Sequence, residues 1–228
     1  MERTCELIQK NIQQINHELA KICARINRNP EAITIVAVTK NVDAKEAEKV
    51  ITHGITHIGE NRPDSFLQKY DALKEKAIWH FIGTLQSRKV KAVINQIDYL
   101  HSLDRLSLAK EINKHANQKV KCFVQVKTSA EETKHGLAVE EVVAFVREIG
   151  QYEKIEVVGL MTMAPFTEDV TLIRSSFSEL KKCQEKIQSL NLDYAPCTEL
   201  SMGMSGDYEI AIEEGATFIR LGTSLVGK

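Results

Sequence analysis

Hydrophobic positions recur along this chain in two rhythms. Ile8, Ile12, Ile15, Leu19, Ile22 and Ile26 fall at alternating steps of four and three, one stripe of a helix from about Thr4 to Asn27. Asn29-Pro30 stops it. A heptad seam between two chains would show the same stripe, but a helix lying against its own domain accounts for it more simply. The rhythm then changes. Ile33-Thr34-Ile35-Val36-Ala37-Val38-Thr39-Lys40 is a β-branched apolar run, which reads as a strand buried on both faces, as in parallel α/β sheets, and it ends on a lysine.

Beyond this strand the two rhythms alternate. Helical patterns cover Ala44 to His53, Pro63 to Lys76, Ser87 to Asn95, Arg105 to Asn117, Val139 to Tyr152, Val170 to Leu190 and Tyr208 to Glu214. Between them, Thr56 to Glu60, Ile78 to Thr84, Ile97 to Ser102, Val120 to Val126, Ile155 to Met163, Cys197 to Leu200 and Ala216 to Leu221 read as strands. Eight strands separated by helices predict a single (β/α)8 TIM-type barrel spanning 1–228. Only six residues follow Gly222, too few for an eighth helix, so the additional N-terminal helix (1–28) is expected to pack into the gap. No linker or internal repeat argues for a second domain.

Composition narrows the partners. Thirty basic and thirty-one acidic residues give a net charge of −1 without a block of like charges, which speaks against nucleic acid or anionic membrane and for a small molecule. The first residues lack an apolar h-region and no apolar run is long enough to span a bilayer, so a cytoplasmic protein is expected. Five widely spaced cysteines form neither a CxxC pair nor a disulfide framework and read as free thiols. No histidine, cysteine and carboxylate cluster has metal-ligand spacing.

On a barrel, active residues sit where strands run into the following loops, and phosphate binds after strands seven and eight. Strand seven runs into Ser201-Met202-Gly203-Met204-Ser205-Gly206-Asp207 and strand eight into Arg220-Leu221-Gly222-Thr223. Taken alone, such glycines turn the chain and such polar residues cap a helix, and Lys40 alone reads as a side chain reaching past a strand end into water. Together at one mouth they suit a phosphorylated carbonyl compound: a phosphate cradle, Lys40 for a Schiff base and Arg220 for a ring nitrogen or acid group. Pyridoxal 5′-phosphate (PLP) fits that description.

The residues resemble the pyridoxal phosphate homeostasis proteins (the YggS/PROSC family), relatives of the amino-terminal barrel of alanine racemase. The resemblance rests on Val36-Ala37-Val38-Thr39-Lys40, Gly59-Glu60-Asn61, His80-Phe81-Ile82-Gly83 with Gln86 and Lys89, His101-Ser102 with Asp104, Gly159-Leu160-Met161-Thr162-Met163, Leu200-Ser201-Met202-Gly203-Met204-Ser205 with Asp207, and Arg220-Leu221-Gly222-Thr223. It implies that Lys40 forms the internal aldimine, that Ser201, Gly222 and Thr223 with amides near Met202, Gly203 and Ser205 hold the phosphate, that Arg220 faces the pyridine nitrogen, and that Asn61 sits near the ring. Gly83-Thr84-Leu85-Gln86-Ser87-Arg88-Lys89 and Arg62-Pro63 depart from the family's usual residues, which bears on partner contacts more than on the cofactor.

Other candidates are weaker. His80 and His101, in or at the end of buried strands, read as hydrogen-bonded core histidines. Lys134-His135-Gly136 reads as a polar loop with a glycine turn, and Met161, Met163, Met202 and Met204 as packing. Three functions compete: a carrier or buffer in PLP homeostasis, possible donor to apo PLP-dependent enzymes and expected to be a monomer; an amino-acid racemase; and a Schiff-base aldolase. A racemase needs a second base, which in alanine racemase comes from a carboxy-terminal domain not found here, and an aldolase needs an acid or tyrosine beside the lysine that the sequence does not identify. Arg220 can only donate, so it keeps a pyridine nitrogen unprotonated and weakens the ring as an electron sink. The carrier is the favoured reading, without catalytic residues.

Overall fold

The computed structural model describes residues 2–129 and 135–227. Among them, eight parallel strands close into a barrel: β1 (Thr34–Val38), β2 (His57–Glu60), β3 (Ile78–Phe81), β4 (Tyr99–Leu103), β5 (Val120–Lys127), β6 (Ile155–Met161), β7 (Glu199–Ser201) and β8 (Phe218–Leu221). Each pairs with its successor, and β8 returns to β1 with Phe218 opposite Thr34 and Leu221 opposite Ala37. A two-residue strand, Leu137–Ala138, adds to the end of β5. Because every strand runs the same way, all their carboxyl ends open on one mouth.

The helices between strands are α2 (Ala44–Thr52), α3 (Pro63–Leu73), α4 (Val90–Val93), α5 (Leu106–His115), α6 (Val142–Ile149), α7 (Val170–Gln188) and α8 (Tyr208–Glu213). Local chemistry sets their starts: the Asp43 carboxylate accepts the Glu46 N–H at 2.8 Å, Asp169 accepts those of Thr171 and Leu172, and Pro63 opens α3. The helix expected over Ser87 to Asn95 divides into a 3₁₀ turn (Ser87–Lys89) and α4. The one expected to reach Lys76 ends at Leu73, where Lys74 turns to φ +40° and its carbonyl accepts the Trp79 indole N–H.

The N-terminal stripe behaves as its spacing predicts. α1 (Glu2–Arg25) buries Ile8, Ile12, Ile15, Leu19 and Ile22, its Asn11 amide donates to the Leu225 carbonyl at 3.0 Å, and Glu18 accepts the Tyr208 hydroxyl. The six residues after Gly222 hold one turn, α9 (Thr223–Val226), rather than no helix. Its Leu225 and Val226 are buried, and α1 covers the side of the barrel that so short a helix leaves open.

Two apolar layers result. The larger lies between strands and helices. The smaller, Val36, Phe123, Val158, Met161 and Phe218, fills the barrel, where the Phe218 ring of β8 meets His57, His80, Tyr99, His101 and Phe123 of β2 to β5. A histidine line thus runs through an aromatic interior.

Candidate functional site

Lys40 stands at the mouth two residues beyond β1, and it is exposed. The Thr39 N–H still pairs with the Gly59 carbonyl of β2 at 3.1 Å, but the strand goes no further because the Thr39 carbonyl is claimed from elsewhere, by the Val42 N–H at 3.1 Å and by a side chain. Lys69 of α3 donates from Nζ to the Thr39 carbonyl at 2.9 Å, to Glu60 Oε1 at 2.6 Å and to Ser65 Oγ at 3.1 Å. Glu60, wholly buried at the end of β2, also accepts the hydroxyls of Thr39 at 2.5 Å and Ser65 at 2.8 Å. An acid and a base taken out of water together, each with further hydrogen bonds, fix one geometry, because a shift that leaves either charge unpaired is costly. That geometry holds the residue before Lys40. Asn61 follows Glu60 and is half-buried.

The neighbouring side of the mouth is built from backbone. Gly203 follows β7 at φ +93°, and a Cβ there would lie 2.6 Å from that of Ala211 and 3.0 Å from Tyr208 Cα, so only glycine makes this turn. The Gly203 carbonyl accepts the Arg220 N–H at 2.9 Å, tying the two loops together. Ser205 Oγ completes the tie, 2.9 Å from Ser224 Oγ and accepting the Ser224 N–H at 3.2 Å. The Met204 N–H is taken by Asp207 Oδ1 at 2.5 Å, whereas those of Ser205, Gly206 and Thr223 have no partner among the described residues. Unpaired amides, an exposed Thr223 and the open space at Gly206 suit an anion. Gly222, at the foot of this cradle, lies against Val38, so cradle and Lys40 belong to adjacent corners.

Arg220 and Ser201 lie deeper. Arg220 is 5% exposed, with Nη1 donating to Ser201 Oγ at 2.7 Å and Nη2 to the Thr162 carbonyl at 3.0 Å. Thr162 is itself held, its hydroxyl donating to the Val126 carbonyl and lying 2.9 Å from Thr128 Oγ1. Burial, partly offset by Asp207, pushes the guanidinium down to about 10, so it stays cationic at neutral pH. The Ser201 hydroxyl is fully buried and shared between Arg220 and His101, so it meets the cradle from below rather than as a surface donor.

Of the remaining candidates, His80 and His101 are buried and hydrogen-bonded, as read from the sequence. Met161 and Met202 are core, whereas Met163 and Met204 are exposed at the mouth. Lys134 lies outside the described residues. At the departures, Arg88 is held by Gln86 and Lys89 lies 3.9 Å from Asp64. Cys23, Cys122, Cys183 and Cys197 are buried free thiols, with Cys183 pushed up by burial to about 11 and Cys197 to about 12. Among the described residues no group of three metal-ligating side chains converges, and no helix is long and apolar enough to cross a membrane. Sequence reasoning missed Lys69, Ser65, Thr162 and Ser224. The buried acid Glu60 was the available signal for the first two, since it calls for a buried cation nearby, which α3 supplies nearly two turns in.

The chain is similar to known proteins over nearly its whole length. A pyridoxal phosphate homeostasis protein from Aquifex aeolicus is 36% identical, covering 98% of this chain and 97% of its own. The structure of PipY from Synechococcus elongatus with PLP bound is 30% identical with a TM-score of 0.81, covering 92% of this chain and all of that one. Alanine racemase from Corynebacterium glutamicum, at 12% identity and a TM-score of 0.72 over 97% of this chain and 60% of its own, shares the fold. The model of the alanine racemase N-terminal domain family matches residues 11–228, and the chain belongs to that family.

Proposed function

We propose that this chain binds PLP at the barrel mouth and serves PLP homeostasis, holding the cofactor without turning over a substrate. One observation carries the reading: an exposed lysine on a rigid corner stands beside a cradle of unpaired amides and hydroxyls above a buried arginine, in a chain 30% identical to PipY, solved with PLP bound. PLP supplies an aldehyde for a primary amine and a phosphate dianion. Lys40 is the attachment point, with Asn61 alongside. Ser205, Gly206, Gly222 and Thr223, with the backbone of Gly203, hold the phosphate; the Met202 N–H expected among them instead donates to the Phe218 carbonyl at 3.1 Å. Arg220 faces the pyridine nitrogen as a pure donor, with Ser201 bracing it. A donor-only partner disfavours the protonated ring on which amino-acid chemistry depends, which favours storage over racemisation.

The test is borohydride reduction of the PLP-loaded protein and mass analysis of its peptides. The expected result is one adduct, on Lys40. Modification of Lys69 or Lys89 with Lys40 untouched overturns the assignment. The same loaded protein, incubated with amino acids in deuterated water, is expected to exchange α-protons far more slowly than about 1 s⁻¹, an ordinary enzymatic turnover. Lys40-dependent exchange at or above that rate overturns the storage reading.

A further inference from the structure

The histidines of the barrel interior form a continuous line. His57 Nδ1 lies 2.9 Å from His80 Nε2, His80 Nδ1 lies 2.9 Å from His101 Nε2, and His101 Nδ1 lies 2.9 Å from Ser201 Oγ. At the top, Ser201 accepts from Arg220. At the bottom, His57 is half-buried beside a cleft of about 390 Å³ at the barrel foot, lined also by Asn16, His53 and Thr56. Each ring is held by packing: His80 stacks on Tyr99 at 4.5 Å and 3°, and His101 stacks on Phe123 at 4.3 Å. The line therefore runs from the foot to the proposed cofactor end.

Its hydrogen count allows two orders. A neutral imidazole carries one N–H, so each ring donates on one side and accepts on the other. In the first order, Ser201 donates to His101, His101 to His80 and His80 to His57. In the second, His57 donates to His80, His80 to His101 and His101 to Ser201, whose own hydrogen is then free. Passing from first to second shifts one hydrogen across each of the three hydrogen bonds. One proton enters at Ser201 Oγ from the mouth and one leaves His57 at the foot, so no ring is left charged. Arg220 donates in both orders, so it cannot choose between them.

We propose that His101, backed by His80 and His57, is a positioning residue for Ser201, and that the state of His57 at the foot decides whether Ser201 offers a hydrogen or a lone pair to the cofactor end of the barrel. A doubly protonated His57 has to donate through Nδ1, which imposes the second order. Acid at the foot therefore frees a donor at the mouth, and a ligand that accepts from Ser201 draws protons to His57 in return. The surroundings leave His57 as the control point. Burial holds His80 and His101 well below the usual histidine range, His101 further so by Arg220, whereas Asp98, which accepts the Trp79 N–H at 2.7 Å, partly offsets the effect of burial on His57. The other charged or titratable groups near the line are His53 in the cleft, Tyr99 with Lys121 over its ring, and Asp207 near Arg220.

This rests on the PLP-binding reading for its consequence but not for its first test. Long-range ¹H–¹⁵N NMR of the ¹⁵N-histidine-labelled apo-protein reads each ring's tautomer directly. The expected result is the same tautomer for His80 and His101 at any one pH, and a joint change from Nε2–H to Nδ1–H as His57 protonates. Opposite tautomers, or tautomers unmoved while His57 titrates, overturn the proposal. Second, PLP affinity is measured from pH 5 to 8 for wild type and His57→Phe. Their ratio cancels the ligand's own ionisation and is expected to change by about ten- to a hundredfold across the His57 titration, the range for one hydrogen bond to a charged acceptor. A constant ratio overturns the proposal even where PLP binds. Coupled tautomers without any PLP binding defeat the cofactor reading and leave the coupling established.

Discussion

The two corners of the barrel mouth are made of opposite materials. The Lys40 corner is built on side-chain charge, a buried Glu60 to Lys69 pair with hydrogen bonds to Thr39 and Ser65. The cradle corner is built on backbone, with Gly203 in a turn closed to other residues and Ser205 and Ser224 pinning loop to loop. The difference follows from what each corner is proposed to hold. A covalent attachment point needs one fixed origin with its own head free, which a saturated charged network beneath it provides. An anion needs several donors at once, which backbone N–H groups offer without bringing a countercharge.

The sharpest way to break the comparison is at the charged corner. Removing one partner of a buried pair strands the other, at a cost of about 3–5 kcal/mol. Lys69→Met is therefore expected to lower stability in urea by that amount. Glu60→Gln combined with Lys69→Met is expected to recover most of it, since no charge is then stranded. A double variant as unstable as the sum of the singles shows that the corner is held by packing instead.

Acid strikes the other corner first. His80 and His101 beneath Ser201 stay neutral in the fold, their folded pKa values lying well below the ordinary value of 6.5, so the unfolded chain binds more protons in the window beneath it. Stability is full above about pH 6.5 and falls as pH drops, by about 2.7 kcal/mol per pH unit while both His80 and His101 remain neutral. Glu18 and Glu213 are pulled below 4.5 by Tyr208 and Arg174 respectively, so their contribution is lost in a lower window. Urea midpoints from pH 7.5 to 5 separate the two. A flat profile down to pH 5 shows that His80 and His101 take up charge while folded.

The sequence showed the barrel more clearly than the site. Alternating β-branched runs and amphipathic stripes carry the eight strands and α1, because burial on both faces of a strand or along one stripe of a helix leaves a periodic mark. The mouth loops leave none. Lys40, Arg220 and the glycine loops were visible as residue types at strand ends, and the family resemblance gave them roles. What stayed hidden is pairing across sequence. Nothing local in α3 shows that Lys69 turns back to Glu60 and Thr39, and His57, His80 and His101 lie on three separate strands whose parallel register alone brings their rings into line. Ser201 illustrates the same limit. Its position after β7 suggested a phosphate ligand, whereas its hydroxyl is already engaged by Arg220 and His101, contacts set by the closure of the barrel.

The smallest expected effect is also the most discriminating for the cradle. Gly203 and Gly206 stand three residues apart in one loop, yet the fold demands only the first. Gly203→Ala places a methyl 2.6 Å from Ala211 Cβ at a backbone angle of +93°, and the strained angle alone costs about 1–3 kcal/mol. Because the Gly203 carbonyl holds the Arg220 N–H, the shift reaches β8, and PLP affinity should fall together with stability. Gly206→Ala meets nothing within 4 Å, so its stability should stay within about 0.5 kcal/mol of wild type. Any loss of PLP affinity in that variant then reports a methyl group entering the space the phosphate occupies. Unphosphorylated pyridoxal, which leaves that space empty, should bind Gly206→Ala as it binds wild type. Equal weakening of both ligands by Gly206→Ala would place the phosphate elsewhere on the mouth and leave this loop a structural turn.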